Sequence, residues 1–180
     1  PELPSLGSYD LRFFDDLGEM QAAIQARDAS VGLSRLVAGY AWDWKSRRDP
    51  SAFDIELDGV QLRWNSTDKD WINSARSLDE VGSIHTVQGY DLNYAGVIIG
   101  PDLRVSPTTG QIIADWDAYR DKKGKERTGH LAETFDDEDL LVFIRNIYGV
   151  LLTRGMLGTF VYVCDPGLRE RLRTRLSAVI

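Results

Sequence analysis

Apolar and polar positions alternate between two periods along this chain, and the switches between them mark out the elements. Asp10 to Phe14 form a short β-prone run. From Asp16 to Arg27 the apolar residues Leu17, Met20, Ala23 and Ile24 share one face, which predicts a helix. The stretch Leu33 to Trp42, LSRLVAGYAW, predicts a buried strand ending near Asp43, and a basic, polar loop follows from Lys45 to Pro50. Phe53 to Leu57 and Val60 to Trp64 flank Asp58-Gly59, a dipeptide suited to a tight hairpin turn. Val81 to Ile84 and Ala95 to Ile99 are two more strands. Leu103 to Val105 and Gln111 to Ala114 are a second hairpin across Pro107 to Gly110.

The C-terminal third is clearer. Between Asp139 and Leu152 the residues Leu140, Phe143, Ile144, Ile147, Tyr148 and Leu151 recur at helical spacing, with Gly155 as the expected terminator. Gly158 to Cys164 predicts a strand. Asp165-Pro166 predicts an N-cap with proline at the first helical position, ahead of a stripe of Leu168, Leu172 and Leu176. Strands separated by helices predict an α/β layer fold with a mostly parallel central sheet, the hairpins being insertions at its edge.

With 180 residues the chain fits one domain, taken here as 1–180. No apolar run is long enough to span a membrane and the first residues carry no signal-peptide pattern. A single cysteine, Cys164, excludes an internal disulfide framework and a multi-cysteine zinc site, so a reducing, cytoplasmic setting is expected. The chain opens on Pro1, which suggests a piece of something longer. Its net charge of -7 is unusual for a stand-alone nucleic-acid binder, yet compatible with one half of a two-domain clamp.

Two segments carry chemistry. In the first, Ser83 to Gly100, a strand runs into His85-Thr86, then Gln88-Gly89, then Asp91, then a second strand. Imidazole and hydroxyl donors can hold phosphates, Gly89 lets another backbone approach closely, and a carboxylate can accept ribose hydroxyls. In the second, Leu152-Thr153-Arg154-Gly155 joins a helix to a strand. A guanidinium there is permanently charged and presents a rigid donor fork. The acidic run Asp136 to Asp139 reads as the first turn of a helix, where negative charge is stabilised. With His85 and His130 as the two histidines, no metal site is expected. Among five tryptophans, Trp71 in the polar stretch NSTDKDWINS is the candidate for stacking on an unpaired base, whereas Trp42 and Trp44 read as core and rim. The charged loop Tyr119 to His130 reads as solvated.

The first segment resembles motif V of superfamily 1 helicases and the second resembles motif VI. A third stretch, Arg35 to Trp44, has no general helicase counterpart. Together the three look like the C-terminal half of the bacterial Schlafen-like helicase family, over roughly residues 8 to 176. The resemblance implies a three-layer RecA-like domain, the second motor half of an ATP-dependent DNA or RNA helicase or translocase. It implies that Arg154 acts as an arginine finger, that Gln88, Gly89, Asp91 and Thr153 face the nucleotide, and that His85 and Thr86 touch the nucleic acid, with single strands the expected substrate. The family's phosphate-binding loop, G-x-x-x-x-G-K-[ST], is missing, and the lone Gly124-Lys125 lies in the charged loop without a preceding strand. ATP and Mg²⁺ are therefore expected to be bound mainly by an N-terminal RecA-like partner domain, and the chain alone is not expected to hydrolyse ATP. A regulatory or protein-binding module that keeps the shape without the motor is the other reading.

Overall fold

The computed structural model describes residues 7–121 and 136–177, the side chains of 176 and 177 excepted. In chain order the elements are β1 (Asp10–Phe14), α1 (Leu17–Val31), β2 (Ser34–Ala38), β3 (Ile55–Leu57), β4 (Val60–Trp64), a single 3₁₀ turn (Trp71–Asn73), β5 (Glu80–Ser83), β6 (Leu92–Ile99), β7 (Leu103–Val105), β8 (Ile112–Ala114), α2 (Asp137–Leu152), β9 (Gly155–Val163) and α3 (Pro166–Ser177). Among the described residues they build a seven-stranded sheet in the order β1-β9-β6-β2-β5-β4-β3, parallel except at the β3–β4 hairpin. The fold is α/β, with helices on both faces of the sheet as in a three-layer RecA-like domain.

The two faces have separate cores. On one, Leu17, Met20 and Ile24 of α1 pack on Leu36, Ile98, Phe160 and Tyr162. On the other, Leu140, Ile144, Tyr148 and Leu151 of α2, together with Leu168 of α3, pack on Val37, Val97, Ile99, Val161 and Val163. Each fully buried aliphatic side chain of this kind contributes about 1.5–3 kcal/mol. Because β6 and β9 are covered on both sides, their apolar runs are nearly continuous rather than alternating.

The helix starts follow from their capping residues. The Asp16 carboxylate accepts from the Glu19 amide at 2.8 Å. Asp136 and Asp139 form a reciprocal capping box at α2, so the acidic run closes a helix N-terminus as expected. Asp165 accepts from the Leu168 amide at 2.7 Å and from the Val105 amide at 3.1 Å, tying α3 to β7.

Two boundaries differ from expectation. The strand from Leu33 stops at Ala38, because Tyr148 of α2 pushes up beneath Gly39: a Cβ on Gly39 would overlap the Tyr148 hydroxyl. Gly155 does not follow the helix as its terminator. Thr153 is the C-cap, and Gly155 opens β9 in a turn so tight that a Cβ there would overlap the Gly158 carbonyl. The β3–β4 hairpin lies at the edge of the main sheet, as expected, where β4 pairs in parallel with β5. The β7–β8 hairpin does form a separate two-stranded sheet. Gly124, Lys125 and the rest of the charged loop from 122 on lie outside the described residues, as does the Leu176 side chain.

Candidate functional site at the two edges of the sheet

Parallel pairing gives the sheet a carboxyl edge and an amino edge. β5 and β6 both run parallel to β2, so the connection 84–91 must travel from one edge to the other. It crosses the α2 face, anchored by the buried Val87, and it carries the His-Thr and Gln-Gly-Tyr-Asp residues at its opposite ends. The two halves of this motif are therefore set at opposite edges by topology alone.

At the carboxyl edge, His85 is exposed over 63% of its side chain, with Nε2 3.0 Å from Asp121 Oδ2. It opens onto a groove of about 960 Å³ lined by Tyr40, Asp43, Trp44, Lys45, Arg47, Arg48, Arg120 and Asp121 besides His85 itself. Thr86 turns inward. It is buried, its hydroxyl lies 2.9 Å from the Ser83 hydroxyl, and its amide donates to the Ser83 carbonyl. In this conformation the Thr86 side chain closes the turn that presents His85 and offers no hydroxyl to an outside phosphate.

Trp71 also points inward, correcting its expected place as an exposed platform. It has no exposed surface, its indole N–H donates to Glu80 at 2.8 Å, and its ring lies against Gly82, where a Cβ would overlap it. A ring buried on both faces has none left for a base. The polar neighbours of Trp71 face solvent while the indole fills the gap that Gly82 leaves in β5.

At the amino edge, Gln88, Gly89 and Asp91 are all exposed. Gly89 adopts φ 82°, a left-handed conformation that costs a residue with a Cβ about 1–2 kcal/mol, and the space around it is open. Arg154 comes to the same edge from the end of α2, its carbonyl accepting from the Leu92 amide at 2.9 Å. Its side chain is 24% exposed. Nη1 is 3.6 Å from Asp91, itself 66% exposed, and 3.4 Å from the Tyr90 carbonyl, while the buried Nε has no hydrogen-bond partner among the described residues. These contacts are long for charge-assisted hydrogen bonds, which run near 2.7–2.9 Å. The Thr153 hydroxyl is spent on the α2 carbonyls of Gly149 and Val150, at 3.2 and 3.0 Å.

The same edge carries exposed apolar side chains. Val31 and Leu33 end the α1–β2 connection, and Met156 and Leu157 open β9. The pairing Ser34↔Tyr94↔Gly158 sets Leu33 and Leu157 either side of Asn93, in a row across the strand starts. Leu33 holds φ 46°, a strained value for a bulky residue, pinned where the Asn93 amide donates to its carbonyl at 2.8 Å.

Other polar groups are structural. Asp102 and Tyr148 meet beneath the carboxyl edge, the tyrosine hydroxyl donating to Asp102 at 2.6 Å and accepting from the Gly100 amide at 2.8 Å. Burial raises the Asp102 carboxyl to about 6, the Tyr148 hydrogen bond opposing that rise. Burial likewise pushes the Cys164 thiol up to about 12, keeping it un-ionised. No group of three or more His, Cys, Asp and Glu able to hold a metal ion stands among the described residues, and no described helix is long and apolar enough to cross a membrane.

Comparisons with known proteins bear on the family. A family model described as Schlafen group 3, DNA/RNA helicase domain, matches residues 2–165. An uncharacterized protein of Saccharomyces cerevisiae is 37% identical over 172 residues, covering 92% of this chain. The chain spans about 37% of that relative's length. No solved structure matches.

Proposed function

From the premise that the chain belongs to the Schlafen group 3 DNA/RNA helicase domain family, we propose that it is the second RecA-like half of an ATP-dependent nucleic-acid translocase and that Arg154 is its arginine finger. The observation that carries the reading is the meeting of Arg154 and Asp91 at the amino edge, where, among the described residues, the guanidinium is held by contacts of 3.4 and 3.6 Å. A loosely held cation beside a solvated carboxylate can turn outward to a phosphate at small cost, whereas a short bidentate pair could not. The apolar row of Leu33, Met156 and Leu157 next to it suits a face that packs on the N-terminal RecA-like domain.

In this scheme the first domain holds ATP and Mg²⁺, and the metal ion neutralises charge on the phosphates. This chain's share is different. Asp91 accepts from the nucleotide's sugar across the cleft and Gln88 donates to it. Arg154 stabilises charge developing on the transferred phosphoryl group when the domains close. The connection 84–91 links that edge mechanically to His85 at the other, so closure around nucleotide shifts the residues that face the nucleic acid.

The test is ATP hydrolysis by the longer protein, with and without single-stranded DNA and RNA. The expected result is stimulation by one of them and a loss of turnover on the order of 10³-fold in Arg154→Ala, with nucleotide affinity little changed. Unchanged turnover in Arg154→Ala would remove the finger. No hydrolysis under any condition would favour a non-motor interaction module.

A further inference from the structure

The stretch Arg35 to Trp44 has no part in the scheme above, yet its end forms the floor of the groove at the carboxyl edge. After Ala38 the chain leaves the sheet over Tyr148 and lays Tyr40 and Trp44 against the buried Trp64. Tyr40 stacks on Trp64 at 5.6 Å between ring centroids, and Trp44 lies 6.1 Å from Trp64 and 6.2 Å from Tyr40. Trp64 is fully buried, whereas Tyr40 and Trp44 are half-buried and line the groove. Burial, then the Asp121 carboxylate, keeps the Tyr40 hydroxyl protonated above its ordinary range, so the floor is uncharged.

The walls are cationic. Lys45, Arg47, Arg48 and Arg120 stand against the carboxylates Asp43 and Asp121, and His85 completes the rim. This is a local positive excess in a chain of net charge -7. The Arg47 guanidinium lies 5.2 Å from the centre of the Trp44 ring. The loop that carries Arg47 and Arg48 is clamped from below: buried Asp54 accepts from the Ser46 amide at 2.8 Å, the Ser46 hydroxyl at 2.6 Å and the Trp64 amide at 2.8 Å. A second cavity, of about 340 Å³, lies beyond Trp44 and Arg47, its wall carrying Asp68 and Glu80 as well as Arg63 and Arg76. The two cavities share Trp44 and Arg47.

We infer that this groove binds an unpaired nucleic-acid strand, with Tyr40 and Trp44 stacking on bases while Lys45, Arg47, Arg48 and Arg120 hold phosphates. The inference rests on the nucleic-acid reading above and assigns its track to residues outside the helicase-like motifs. Partly exposed aromatic side chains beside cations fit bases and phosphates of a single strand, whereas duplex bases are stacked on one another and cannot reach the floor. Charge complementarity excludes an acidic-face-seeking basic peptide as the occupant. Of the two histidine-threonine residues, only His85 reaches this groove.

The experiment is fluorescence anisotropy of the chain with three labelled strands of one length: oligothymidylate, oligouridylate and an abasic phosphodeoxyribose strand. The expected result is tighter binding of a base-bearing strand than of the abasic one. Trp44→Ala should lose roughly tenfold or more for the base-bearing strand and little for the abasic one. Trp44→Phe should keep most of the affinity, which guards against a mere folding defect. Arg48→Ala should weaken all strands and flatten their salt dependence. A preference for uridylate or for thymidylate supports the site either way and identifies the polymer. Equal affinity for abasic and base-bearing strands, no effect of Trp44→Ala, or no binding at all would overturn it. Strand affinity is read on this chain and ATP turnover on the longer protein, so failure of the finger and failure of the groove are distinguished.

Discussion

Arg154 owes its place to the residues on either side of it. Thr153 ends α2 with its hydroxyl on the helix carbonyls, and Gly155 starts β9 where no side chain fits. The guanidinium is thus delivered to the amino edge by backbone geometry and not by a strong side-chain pair. Gly89, on the other side of Asp91, needs its left-handed φ of 82°. Gly89→Ala is expected to cost about 1–2 kcal/mol in chemical denaturation, and an unchanged unfolding midpoint would show that the turn relaxes. Asp102 supplies a pH signature. Its folded pKa is raised from 3.8 to about 6, so between those values the folded protein keeps a proton that the unfolded chain has released. The stability this group contributes is fully present below 3.8 and is lost as pH rises through about 6, a change of roughly 3 kcal/mol. Asp102→Asn keeps an acceptor for Tyr148, and its unfolding free energy should lack that fall. Parallel pH profiles for the two proteins would contradict the assignment.

Among the elements, those with a clean period were legible. The helical spacing of α2, the N-cap and proline of α3, and the apolar runs of β6 and β9 all appear where the pattern predicted them, because local propensity and burial agree there. The end of β2 was not legible. Gly39 to Trp42 are as apolar as the strand before them, and what bends them away is Tyr148, distant in sequence and placed by tertiary packing. Trp71 failed for the reverse reason: polar neighbours suggested solvent, while Gly82 and Glu80 across the fold made a buried slot for it. The groove was missed because Tyr40, Arg47, His85 and Arg120 meet only in three dimensions. The basic loop 45–50 and the AGYAWDW run were its visible signals. Gly39→Ala would force the Tyr148 hydroxyl out of place and is expected to cost about 1–3 kcal/mol, measured by denaturation. A neutral effect would mean that α2 can slide away from β2.

For the whole molecule, the parallel sheet separates two candidate sites. One edge carries the aromatic and cationic groove, the other carries Arg154, Asp91 and the apolar row, and the connection 84–91 spans the distance between them. An interface role for the apolar row predicts that Met156→Asp leaves the chain's own unfolding unchanged, since Met156 is exposed, while lowering ATP turnover of the longer protein. Equal turnover would place the partner domain elsewhere. On the proposed reading, strand binding at the groove and ATP turnover of the longer protein should be separable by mutation.

The most direct measurement is the affinity of the longer protein for ADP–aluminium fluoride, a mimic of the transferring phosphoryl group, beside that for a non-hydrolysable ATP analogue. A group that acts on charge developing during transfer is felt in the first and hardly in the second. Arg154→Ala is expected to weaken the mimic by on the order of 10³-fold and the analogue by only a few-fold. Equal affinities for the mimic in wild type and variant, or an equal loss for both ligands, would contradict a finger at position 154.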